Sequence, residues 1–126
     1  MNSYLESISQ ELDVVHISHT AFHDCIHINL PNEFGMLEIK VWGDNDDSIQ
    51  IIDADFHTHG ELEAIEFGLS KEKAIAQLVN KLFTGEYLLI EETEPNKKPR
   101  KLVAQSIEDY LKYLPKGTAY IIANKT

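Results

Sequence analysis

A single cysteine, Cys25, in 126 residues excludes an intrachain disulfide and any multi-thiolate zinc centre, and fits a reducing compartment. The six glycines build no phosphate-cradling loop, and no G-x-S-x-G elbow offers a serine nucleophile. No apolar run approaches the roughly 20 residues that a membrane-crossing helix needs. The opening stretch has neither a basic region nor an apolar one, so no signal peptide is expected and the cytoplasm is the expected location. Bases are the scarcest group in the first half: residues 1–66 hold 14 acids and one base, Lys40, a balance of -13. Residues 67–126 hold seven acids and ten bases, a balance of +3, and the halves sum to the net charge of -10. A field of that sign repels phosphate backbones, which argues against nucleic acid as a partner, and draws in a basic protein.

What is present suits one folded domain over residues 1–126: hydrophobic content is 43%, charged content 25%, and the length permits a real core. Ser3-x-x-Glu6 with Leu5, Ile8 and Leu12 predicts a helix over 3–12. Alternating β-rich runs predict strands over 14–20 and 25–30, joined around 21–24, and then over 37–42 and 48–56 across an acidic turn. Residues 61–68 carry no clear period and read as a loop. Ile75, Leu78, Val79 and Leu82 recur at helical spacing between the Ser70 N-cap and the Gly85 stop, predicting a helix. Strands over 86–93 and 101–106, a helix over 107–114 and a last strand over 119–123 complete the order αββββαββαβ. Short turns between consecutive strands imply an α+β fold, with one mainly antiparallel sheet of six or seven strands and two or three helices on one face.

All six histidines precede residue 60. Asp53, Asp55, His57 and His59 alternate with Ala54, Phe56 and Thr58, so on one strand they would share a face. Asp55-Phe56-His57-Thr58-His59 resembles the D-x-H-x-H element that opens the metal site of barrel-type amidohydrolases and of the polymerase-and-histidinol-phosphatase hydrolases. That resemblance implies His57 and His59 as metal ligands. Ligands of this kind suit zinc, with open iron or manganese sites as alternatives, and a site completed otherwise than in those families would draw on His16 or His27 from a neighbouring strand. The chain lacks the later ligands of those families and is too short for an eight-stranded β/α barrel. Cys25, beside Asp24 in an apolar run, reads as a small core residue with a raised thiol pKa. No complete catalytic constellation is legible, so a binding protein without a cofactor is favoured over an enzyme.

Trp42 with its acidic turn, the run ending in His57-Thr58-His59, a helix ending in Leu82-Phe83-Thr84-Gly85 and then Glu86-Tyr87-Leu88-Leu89-Ile90 resemble small bacterial immunity proteins of polymorphic and contact-dependent toxin systems, over about residues 36–92. The resemblance implies a cytosolic antidote that binds a cognate toxin domain, often a nuclease, by covering its basic groove. The expected contact residues are Asp44, Asp46, Asp47, Asp53 and Asp55 from strand parity, and Glu61, Glu63 and Glu66 from composition. Trp42 is the expected aromatic anchor.

Overall fold

The computed structural model describes residues 2–43 and 46–125. Its first helix, α1 (Ser3–Val14), is capped by Asn2, whose side chain accepts from the amides of Tyr4 and Leu5. It buries Tyr4, Leu5, Ile8 and Leu12. The helix runs two residues past the predicted end because His16 takes a left-handed conformation (φ 60°). The amides of His16 and Ile17 then fold back onto the carbonyls of Asp13 and Leu12, the pairing of a Schellman stop. Most of the expected 14–20 strand is consumed by that stop, and only β1 (Thr20–Ala21) survives.

β2 (Cys25–Asn29), β3 (Met36–Trp42), β4 (Asp46–Ile51) and β5 (His57–Thr58) follow β1 as an antiparallel meander, ordered β1-β2-β3-β4-β5. Ile26, Ile28, Leu37, Ile39, Val41, Ile49 and Ile51 alternate onto its inner face and join the core with the buried side of α1. The predicted 48–56 strand breaks at Ile51, where Asp53 turns the chain at φ 63°. Asp53, Asp55, His57 and His59 therefore do not share one strand face.

Most of residues 61–68, expected as loop, belong to α2 (Gly60–Phe67), closed by Gly68 in the left-handed region. No clean amphipathic pattern announces this helix, because Glu63 points in while Leu62 and Ile65 point out beside Glu61 and Glu66. α3 (Lys71–Thr84) matches its prediction, with Ser70 and Gly85 as caps and Ile75, Leu78, Val79 and Leu82 buried.

The chain then builds a second sheet: β6 (Leu88–Thr93) lies between β7 (Arg100–Ala104) and β8 (Ala119–Ile122), with α4 (Ile107–Lys112) connecting the outer two. The single sheet expected from sequence is thus two, of five and three strands, within an α+β architecture of four helices. β6 is paired on both sides, which leaves it no edge for the first sheet; the sheets touch through an isolated bridge between Asp55 and Leu102. One hydrophobic core still runs through both, from Leu5 and Ile39 to Leu89 and Val103. Asn124 seals the junction of α3 and β6: its Nδ2 donates to the carbonyls of Leu82 and Tyr87, and its Oδ1 accepts from the Leu89 amide. Among the described residues no helix is long and apolar enough to cross a membrane.

Candidate functional site

The expected anionic surface is divided by the fold into exposed, buried and neutralised carboxylates. Asp46 opens β4 in solvent, and Glu61 and Glu66 stand exposed on α2. Trp42, at the end of β3, is 49% exposed, with the Lys40 ammonium 5.7 Å from its ring centroid. Asp44 lies outside the described residues.

Asp47 and Glu63 are not surface groups. Asp47 has the inward parity of Ile49 and Ile51, is 3% exposed, and accepts from the Tyr4 hydroxyl at 2.5 Å and the Gly60 amide at 2.6 Å. Gly60 is required there, since a Cβ would stand 2.8 Å from Asp47 Oδ2 and 2.9 Å from Ile75 Cδ1. Glu63 is buried under α2, where Thr58 Oγ1 donates to its Oε1 at 2.9 Å while Oε2 has no protein partner. Burial pushes this carboxyl up, against the lowering pull of the Thr58 hydroxyl.

Asp53 and Asp55 belong to a different corner. Arg100 Nε reaches Asp55 Oδ2 at 2.5 Å, and both acids line a cleft of about 310 Å³ with Arg100 and Lys101. The positive half of the chain thus folds back on part of the negative half. His57 and His59 meet edge to face at 4.7 Å, and the Nδ1 of His59 is 2.5 Å from the Asp47 carbonyl. Asp55 is held away by Arg100, so Asp55, His57 and His59 do not converge as the D-x-H-x-H resemblance implied.

A further group of side chains lines the β4–α2 corner. Asp46, Asp47, His59, Glu61 and Lys71 line a cleft of about 120 Å³. Beside it, Leu62 and Ile65, three residues apart on α2, are 57% and 76% exposed, and Leu69, just past the Gly68 stop, is 41% exposed. Glu61 and Glu66 sit on the same helix.

The outer face of the five-stranded sheet is also open. Its register aligns Thr20, His27, Glu38, Gln50 and His57 as one row across all five strands. Within it the His27 Nε2 meets Glu38 Oε2 at 3.0 Å, and Gln50 Nε2 donates to Glu38 Oε1 at 3.0 Å. These bonds hold the Glu38 carboxyl below its ordinary range. Cys25, two residues along β2, places its Sγ 3.7 Å from the same His27 Nε2. Cys25 is half-buried on this face, and not the core residue expected from its sequence setting. Burial, then the charges of Asp24 and Glu38, push its thiol up. The signal available in the sequence was the Cys25-x-His27 alternation; Glu38 was invisible until the β2–β3 register placed it opposite His27.

A third polar pair, Ser9 Oγ and His19 Nε2 at 2.7 Å, has the distance of a nucleophile and its base. The other ring nitrogen, Nδ1, lies 2.8 Å from the Ile17 carbonyl. The ring therefore ties α1 to the segment leading into β1. No protein-family model, curated protein or solved structure matches the chain.

Proposed function

We propose that this protein is a binding module that captures a basic protein at the β4–α2 corner, in the manner of an immunity protein that neutralises a cationic toxin domain such as a nuclease. The observation that carries the reading is the exposure of Leu62 and Ile65 on α2, and of Leu69 just past its stop, beside exposed carboxylates. Exposed aliphatic side chains on a short surface helix gain free energy when a partner covers them. The adjoining Asp46, Glu61 and Glu66 select a partner rich in Lys and Arg and speed its encounter. Trp42 lies at the β3 end that pairs with Asp46 and is the aromatic anchor of the same surface. No catalytic group is needed for such a role: a basic groove shaped to hold phosphates is blocked when carboxylates occupy it.

The test is association kinetics with the product of the neighbouring gene. Reversal of Asp46, Glu61 and Glu66 to Lys should lower the association rate by about ten-fold or more at low salt and flatten its salt dependence. Leu62→Ala with Ile65→Ala should instead act mainly on dissociation. Absence of binding by the native chain, or an association rate indifferent to the charge reversals, would overturn the proposal.

A further inference from the structure

The cluster of Cys25, His27 and Glu38 lies on the outer face of the five-stranded sheet, and its geometry separates two chemistries. A cysteine nucleophile with a His–acid pair needs the thiol on one ring nitrogen and the carboxylate on the other. Here both address the same atom, Nε2 of His27: Sγ from 3.7 Å and Oε2 from 3.0 Å. A relay cannot be drawn through that arrangement. Three donors converging on one point are instead the arrangement a cation needs.

The distances decide how well an ion fits. Around a tetrahedral zinc with ordinary bond lengths, sulfur, nitrogen and oxygen ligands lie about 3.4–3.6 Å apart. The three ligand atoms all lie within 4.8 Å of one another, close to that spacing before any ion is bound. Among the described residues this is the one group of three or more ligating side chains with such proximity. The scaffold is firm: β2 and β3 are paired over Cys25↔Lys40 to Asn29↔Met36 and have a further strand on each side. Gln50 steadies Glu38 through Oε1 and leaves Oε2 for the ion, while the edge of the Phe22 ring packs on His27 at 5.0 Å.

We propose that Cys25, His27 and Glu38 form a site for a borderline divalent cation of the zinc type, with three protein ligands and one exchangeable position facing solvent. Thiolate, imidazole and carboxylate together match zinc and cobalt(II) better than calcium or magnesium, which prefer all-oxygen shells. Loading removes the thiol proton to solvent and leaves two anionic ligands against two positive charges, a neutral centre on the sheet. Apparent affinity therefore rises with pH. Three ligands and an open position are the pattern of sites that bind water or an incoming partner side chain.

The test is titration of the chelator-stripped full chain with cobalt(II), followed by displacement with zinc. One equivalent of cobalt should give thiolate-to-metal charge-transfer absorption together with the intense visible bands of a tetrahedral ion. Cys25→Ser should abolish the charge-transfer band. His27→Gln and Glu38→Gln should each weaken binding by about 100-fold or more, beyond the usual effect of losing an outer supporting group. His57→Ala with His59→Ala should leave both spectrum and affinity unchanged. Thermal unfolding of each variant without metal establishes that it folds. Cobalt bound without the sulfur band, affinity indifferent to His27→Gln and Glu38→Gln, or no uptake by the native chain would each overturn the assignment. None of these outcomes bears on capture of a basic protein at α2.

Discussion

Replacing Asp47 measures whether a carboxylate in the acidic half serves the fold or the surface. Its two oxygens are both engaged, one with the Tyr4 hydroxyl and one with the Gly60 amide, so a single side chain joins α1, β4 and α2. Hydrogen bonds to a charged acceptor contribute about 1.5–3 kcal/mol each, and a buried donor left alone costs about 1–3 kcal/mol. Asp47→Ala removes both bonds and orphans both donors, which sets its cost at about 3–5 kcal/mol. That is a large fraction of the about 5–15 kcal/mol available to a folded domain. Asp47→Asn keeps the volume and one acceptor, for a cost of about 1–2 kcal/mol. Asp46→Asn, one residue earlier and exposed, should change stability by less than about 0.5 kcal/mol. Urea unfolding with an unchanged slope is the assay, read as a shift in midpoint. A cycle with Tyr4→Phe isolates the hydroxyl contact, and the double variant should cost about 1 kcal/mol less than the sum of the singles. The reasoning fails if Asp47→Ala lies within about 1 kcal/mol of the native chain, or if Tyr4→Phe and Asp47→Asn are additive.

Glu63 makes an opposite prediction about pH. Its carboxyl is raised by burial, so the folded chain holds the proton more tightly than the unfolded one. The stability this provides is fully present below the ordinary glutamate value of about 4.3 and is lost as pH rises through the folded value. Urea midpoints of the native chain should therefore fall relative to Glu63→Gln across that window, and parallel curves for the two proteins would refute it. Asn124→Asp removes the donors held by the Leu82 and Tyr87 carbonyls and places a charge in a buried position. It should cost about 2–4 kcal/mol by urea unfolding, whereas a surface substitution such as Lys97→Gln should be nearly silent.

The elements that were legible in the sequence are those whose local chemistry and tertiary role agree. α3 has a Ser cap, a Gly stop and an apolar stripe that is also its buried face, and its bounds follow from those residues. β2 and β3 alternate because one side meets the core and the other meets solvent. Disagreement marks the failures. Residues 14–20 have strand composition, yet the Schellman stop at His16 and the burial of Ile17 take precedence over propensity. α2 was hidden because Leu62 and Ile65 face out beside Glu61 and Glu66 while Glu63 faces in, which leaves no clean apolar stripe from which to read a helix. Partition of the strands between two sheets was not legible either, since pairing depends on which edges the connecting helices leave accessible.

Charge shows the same limit more sharply, because counting carboxylates along a chain says nothing about how many face solvent. The excess of negative charge in residues 1–66 is spent by the fold in different ways. Asp47 and Glu63 go inward, where they act on stability and on its pH dependence. Asp55 is joined to Arg100, and Glu38 is hydrogen-bonded to Gln50 and meets His27, so each of these carboxylates is already engaged. Exposed on the β4–α2 corner are Asp46, Glu61 and Glu66, and in the proposed capture of a basic protein their effect would come from position beside Leu62 and Ile65 more than from number. A partner that covers this corner removes apolar area from water and desolvates three carboxylates in one event. Its own cations must then lie opposite those carboxylates, because unpaired charge buried at an interface opposes binding. On that proposal, affinity and selectivity would be tied to the same few side chains, and a partner with the right net charge but the wrong spacing of bases would be rejected on that ground.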